Sequence, residues 1–136
     1  MYQQITVIGH IGRDPESKQS KNGKQYAQIS VAVSRSLGQG AKETTWFAVT
    51  VWENQAAYIV NYAKKGSLIM AIGRLVPDPQ NGGPRIWIDN NNQPRANFEV
   101  MAHEIKIISG FKSEEERNQT PGVTPRQSYS DHPEYY

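Results

Sequence analysis

The sequence predicts an all-β fold: a five-stranded barrel with one helix between its third and fourth strands and a long hairpin arm projecting from it. Three observations carry this. Several segments alternate apolar and polar residues with the two-residue period of a half-buried strand. One segment, around residues 54–63, switches to helical spacing. A polar stretch at 76–95, rich in Pro, Gly and Asn, is too long for a simple turn between strands.

The first strand is expected over residues 4–11, where Ile5, Val7 and Ile11 alternate with Gln4, Thr6 and His10, and Gly12-Arg13-Asp14-Pro15 ends it. The polar run from Lys18 to Lys24 contains Asn22-Gly23, the dipeptide that supplies positive φ in a tight hairpin turn. The second strand follows over 26–35, with Ala27, Ile29, Val31 and Val33 on one face and Gln28, Ser30, Ala32 and Ser34 on the other. A flexible connection, Leu37-Gly38-Gln39-Gly40, leads to the third strand, TTWFAVTVW at 44–52. Its β-branched and aromatic residues fit a pleated surface.

After Trp52 the period changes. Ala56, Ile59, Val60 and Ala63 fall on one helical face, Asn54 is placed to cap the start, and Lys64 and Lys65 fall in the last turn before Gly66. Residues 67–75, SLIMAIGRL, are apolar on both faces, as in a strand covered from two sides. Residues 97–108 form the last strand, with a bend expected near His103. Within 76–95, Arg85-Ile86-Trp87-Ile88 reads as one strand of the arm, with the asparagine run at its tip. Strand, strand, strand, helix, strand, strand is the element order of the OB-fold, a small Greek-key barrel whose face and loops bind oligonucleotides or oligosaccharides. The domain is expected over 1–110. Residues 111–136, Glu-rich and then Pro-, Ser- and Gln-rich, read as a disordered acidic and polar tail.

Bulk properties narrow the chemistry. The chain has 136 residues and no cysteine, which excludes disulfides, thiolate metal sites and a thiol nucleophile. Its +2 net charge hides an asymmetry: residues 1–112 carry +5 and the remainder −3, and a basic body suits a polyanionic partner. The N-terminus, MYQQITVIGHIG, lacks the basic flank and apolar run of a leader, and no segment reaches membrane-spanning length. A cytoplasmic location is expected. No phosphate loop, HExxH or Cys/His cluster occurs, and His10, His103 and His132 are scattered. The reading is therefore of a protein that is not an enzyme and needs no cofactor or metal.

One pattern stands out against that background. In TTWFAVTVW, Phe47, Val49 and Val51 make an ordinary core face, while Trp46, Ala48, Thr50 and Trp52 point the other way. Two indoles separated by small residues occupy the face where a half-buried strand is normally polar. Such a face leaves room for a flat ring to lie against each indole; packing against protein at a subunit interface or under the arm is the competing use. Trp87 on the arm, flanked by Ile86 and Ile88, either stacks in the same way or folds onto the body.

Ordered segments then carry a resemblance. Gly12-Arg13-Asp14-Pro15-Glu16, Lys42-Glu43-Thr44-Thr45-Trp46-Phe47, Val51-Trp52-Glu53-Asn54-Gln55-Ala56, Tyr62-Ala63-Lys64-Lys65-Gly66-Ser67 and Gly73-Arg74-Leu75 together resemble the bacterial-type single-stranded DNA-binding proteins over residues 2–109. The resemblance implies a homotetramer that binds and protects single-stranded DNA in replication, recombination and repair, associated with the nucleoid. It implies base stacking by Trp46, Trp52 and Trp87 and a phosphate contact by Lys65. Arg13, Lys24, Arg35, Lys42, Arg74, Arg85 and Arg95, mostly in loops or near strand ends, are the further phosphate candidates. Leu37 stands where members often carry an aromatic ring, Phe47 where a subunit contact or the core is served, and segment 76–86 is longer than in many members. Members commonly end in an acidic tip closing on Pro-Phe that recruits partner enzymes. Here Asp131, Pro133, Glu134, Tyr135 and Tyr136 are the corresponding residues for binding replication and repair proteins. A specialised paralog of a mobile element or replication-restart system, and an OB-type protein scaffold that binds no nucleic acid, are the alternatives.

Overall fold

The computed structural model of the chain describes residues 1–118. In chain order its elements are β1 (Ile5–Ile11), β2 (Ser17–Gln19), β3 (Gln25–Gly38), β4 (Ala41–Trp52), α1 (Glu53–Tyr62), β5 (Leu68–Leu75), β6 (Ile86–Ile88), β7 (Pro94–Ala96), β8 (Phe98–Ser109) and α2 (Glu114–Asn118). The main sheet runs β1-β5-β8-β4-β3-β2, and a further β1–β3 pairing closes the first five of these into a barrel. The helix α1 lies between the third and fourth barrel strands, as the OB-fold requires. Among the described residues only β4 and β8 pair in parallel; the other ladders are antiparallel. The seam between β1 and β3 is short, His10 against Ala32 and Ile11 against Val31. There the backbones approach so closely that a Cβ on Gly9 would stand 2.3 Å from the Ala32 carbonyl oxygen, which only glycine allows.

Strand alternation fills the interior. Val7 and Ile11 of β1, Ala27, Ile29 and Val31 of β3, Val49 and Val51 of β4, Ile69 and Ala71 of β5, and Val100, Ile105 and Ile107 of β8 are buried. Ala56, Ile59, Val60 and Ala63, the helical stripe read from the sequence, close one side of that core. The half of β5 that faces outward is not fully covered: Leu68, Met70 and Ile72 are half-buried.

Both ends of α1 differ from expectation. Asn54 is not the cap; β4 runs unbroken to Trp52, whose extended backbone occupies the cap position without a side-chain bond. Glu53, at φ 54°, makes the turn from strand to helix in a single left-handed residue, so Asn54 is already helical. Lys64 and Lys65 lie beyond the last turn, because the helix ends at Tyr62 and Gly66, at φ 91°, redirects the chain. Buried Ser67 holds that loop: its Oγ accepts from the Lys64 amide at 2.9 Å and donates to the Gly110 carbonyl at 2.7 Å.

The bend near His103 is a bulge. Ile72 pairs with Glu104 and Gly73 with Ala102, leaving His103 without a register partner. Gln55 of α1 satisfies the disturbed ladder, donating through Nε2 to the His103 carbonyl and accepting the Ile105 amide at 2.8 Å. At the arm, Ile86, Trp87 and Ile88 pair with Ala96, Arg95 and Pro94 as a separate two-stranded ribbon. The Val76 amide donates to the Glu99 carbonyl at 3.0 Å where the arm leaves and rejoins the barrel.

Residues 111–118, expected to open the tail, are part of the described structure. Phe111 packs against the core, and Lys112 donates its amide to the Tyr62 carbonyl (2.8 Å) and its Nζ to that of Val60 (3.1 Å). These are carbonyls that a helix end leaves unsatisfied, and they draw the chain back. Burial lowers the Lys112 ammonium pKa, while Asp14 and Glu116 oppose that shift. In α2, Glu116 accepts the Ser113 amide and pairs with Lys64 at 3.1 Å, and Arg117 sits over the Tyr62 ring at 5.4 Å. Residues 119–136, with Asp131, Pro133, Glu134, Tyr135 and Tyr136, lie outside the described residues. Among the described residues, no helix is long and apolar enough to cross a membrane.

Candidate nucleic-acid interface

The outward face of the β3–β4 ladder carries the indoles. Cross-strand pairs run Ala32 with Trp46, Ser30 with Ala48, Gln28 with Thr50 and Tyr26 with Trp52. Trp46 is 53% exposed. Its ring edge sits against Gly12, where a Cβ would come within 2.7 Å of Cζ3 and 2.9 Å of Cη2. The glycine just after β1 is therefore the bed on which this indole lies.

Trp52 is the more enclosed of the two. Its ring lies 5.0 Å from that of Tyr26 in a tilted pair, and its Nε1–H donates to Met101 Sδ at 3.1 Å. It lies six positions along the strand from Trp46, about 20 Å at the rise of a strand. Trp87 is 45% exposed, opposite Arg95 on the arm.

An open cleft of about 410 Å³ brings part of this set together: Trp46, Trp87, Arg13 and Arg85 line it, with Gln28, Ser30 and Ala48 from the sheet face. The parallel register sets Glu99 beside Ala48 and Met101 beside Thr50, so β8 widens the same face. Glu99 lines the cleft and stands 3.7 Å from Arg85. The turn bearing Arg13 is tied to the loop bearing Lys65: Gly66 donates to the Ile11 carbonyl at 2.8 Å, and the Lys65 amide donates to Asp14 Oδ1 at 2.8 Å. Two loops that the sequence separates by fifty residues thus share one rim.

The remaining predicted cations are spread more widely. Arg35 pairs with Glu43 at 3.0 Å near the far end of the β3–β4 hairpin, where Lys42 also lies. Lys24 is 3.9 Å from Glu53, and Arg74 donates to the Leu75 carbonyl at 3.4 Å. Arg95 donates to Asp89 at 2.8 Å on the arm. That bond, together with backbone amides of Gln93 and Asn91, holds the Asp89 carboxyl below the usual carboxylate range. Phe47 leans on the core and pairs with Phe98 at 5.8 Å.

Sequence reasoning missed Tyr26, Glu99 and Met101 at this face. Tyr26 carried a signal, being in phase with the outward residues of β3. Glu99 and Met101 carried none, because their place depends on the pairing of β8 with a strand about fifty residues away.

Comparison with known proteins identifies the family. The model of the single-strand binding protein family matches residues 2–108. A single-stranded DNA-binding protein of Neisseria meningitidis serogroup A is 30% identical over 125 residues, covering 89% of this chain and 64% of the relative. One of Halalkalibacterium halodurans is 31% identical over 112 residues, covering 79% and 61%. Single-stranded DNA-binding protein 1 of a Synechocystis species is 29% identical, covering 82% and 88%. The chain thus spans just under two thirds of the Neisseria and Halalkalibacterium relatives. With the closed OB barrel and the family match over residues 2–108, the chain belongs to the single-strand binding protein family.

Proposed function

We propose that this chain is a binding protein rather than an enzyme, and that it holds and protects single-stranded DNA in replication, recombination and repair. The observation that carries this is the cleft lined by two half-exposed indoles, Trp46 and Trp87, together with Arg13 and Arg85. A protein that must accept any sequence uses what every nucleotide shares, a phosphate charge and a π-face. Each stacked base is worth about 1–3 kcal/mol, and each phosphate contact releases counterions. Trp52, with Tyr26 beside it, serves as a second platform further along the same face. Lys65, beside the Arg13 turn, follows the backbone, and Lys24, Arg35, Lys42, Arg74 and Arg95 extend the positive field.

The working form is a homotetramer. Supporting it, Ile8 is 50% exposed and pairs on the outer face with half-buried Met70, and Ile72 lies beside Thr6 on the same face. A second copy would cover this patch. Titration of the full chain with oligo(dT) tests the function: stacking quenches tryptophan emission, and unchanged emission with no retention of single strands would eliminate the reading. Sedimentation of the same protein at micromolar concentration tests the assembly, and a monomer would overturn it.

A further inference from the structure

We propose that Glu99 turns the floor of the cleft into a subsite for a base edge, with a local preference for guanine. The inference rests on the reading of the cleft as a single-strand site. Register sets Glu99 beside Ala48, the small residue that follows Trp46 on the outward face, and Glu99 lines the same cleft as both indoles. The side chain is only 18% exposed. Its ion pair with Arg85 spans 3.7 Å, beyond hydrogen-bond length, so that contact leaves the acceptor positions of the carboxylate available to a ligand.

A carboxylate here repels phosphate, so the DNA backbone follows the arginines and the bases turn inward. The bases then differ in what they offer an acceptor. Thymine presents one N–H between two carbonyl oxygens, and cytosine and adenine present an amino N–H beside a ring-nitrogen lone pair. Guanine presents N1–H and N2–H side by side, at a spacing that matches the two oxygens of a carboxylate. Sequence-tolerant binders draw their modest preferences from stacking and backbone flexibility. Glu99 adds a hydrogen-bond readout to a stacking site.

The test titrates the full chain with alternating d(TG) and d(TI) oligonucleotides of equal length, in lithium buffer to suppress four-stranded guanine structures. Inosine keeps the purine ring and N1–H but lacks the 2-amino group. The wild-type chain is expected to bind the guanine strand about five-fold more tightly, the low end of what a bidentate pair provides. In Glu99→Gln the ratio is expected to fall to near one while both strands still bind. Equal wild-type binding overturns the proposal, as does a ratio that survives the substitution. If the variant fails to fold, the wild-type ratio alone decides. Loss of binding to both strands by the wild-type chain overturns the single-strand reading as well, whereas equal binding overturns only this one.

Discussion

A single methyl group at residue 12 tests whether Trp46 is a positioned platform. In Gly12→Ala the new Cβ would lie 2.7 Å from Cζ3 and 2.9 Å from Cη2 of the indole. Carbon atoms in contact prefer about 3.5–4.0 Å, so the ring edge must retreat by about 1 Å. Overpacking costs about 1–3 kcal/mol in a closed core, but this ring is 53% exposed and free to swing outward, which sets the cost near 1 kcal/mol. Residue 12 is not among those with positive φ, so alanine regains about 0.4–1 kcal/mol by restricting the unfolded chain. Stability is therefore expected to stay nearly unchanged. Binding is not: a displaced platform loses much of a stack worth about 1–3 kcal/mol, and affinity for oligo(dT) should fall five- to ten-fold. A double-mutant cycle supplies the decisive readout, because in a Trp46→Ala background there is no ring to strike and Gly12→Ala should have no further effect. Equal losses in both backgrounds, or no loss in the wild type, would refute the assignment of Gly12 as the bed of the indole.

Three further outcomes are expected. Trp52→Ala should lower unfolding stability by about 2–3 kcal/mol, since its ring is half-covered by Tyr26 and bonded to Met101, whereas Trp87→Ala on the separate ribbon should move it by less than about 0.5 kcal/mol; chemical denaturation distinguishes them. Arg13→Gln should flatten the slope of log K against log[salt] by about 0.7, while Trp46→Ala should weaken binding and leave the slope unchanged, as stacking releases no counterion. The arm should loosen in acid: with its folded pKa depressed, Asp89 stabilises the turn fully above the ordinary carboxylate pKa and loses that contribution as pH falls through the lower folded value. Amide exchange at residues 89–93 and at Arg95 should rise there, and Asp89→Asn should reproduce the rise at neutral pH.

The sequence and the structure agree where the physics is local. Alternation in β1, β3 and β4 is a property of adjacent residues, so the buried set Ala27, Ile29, Val31, Val49 and Val51 was readable without a fold. The helical stripe at 56–63 was readable for the same reason, and the asparagine run at the arm tip followed from turn chemistry. What failed depended on neighbours. Asn54 looked like a cap because it precedes an apolar period, but the strand stays in register with β3 as far as Trp52 and Glu53 alone turns the chain, so Asn54 is already inside the helix. Lys64 looked like a last-turn cation until Ser67, fixed by Gly110, set where the loop turns. Phe111 and Lys112 read as the start of a tail because their partners, the core and the end of α1, are fifty residues away. At the site, Trp46 and Trp87 were visible as unusual residues, but the union of Arg13 and Arg85 with them in one cleft was not.

The bond from the Val76 amide to the Glu99 carbonyl means that the chain leaves the barrel and returns to it at adjacent points. Everything between is a closed detour whose ends are already held, so the barrel does not register how long the detour is. Doubling its length costs only about 0.6 kcal/mol of closure entropy, and no core residue has to move. The arm is thus an exchangeable cassette: evolution or a protein engineer can lengthen it, shorten it or graft another in its place. Reach and grip over the cleft become adjustable quantities while the barrel that must fold stays constant.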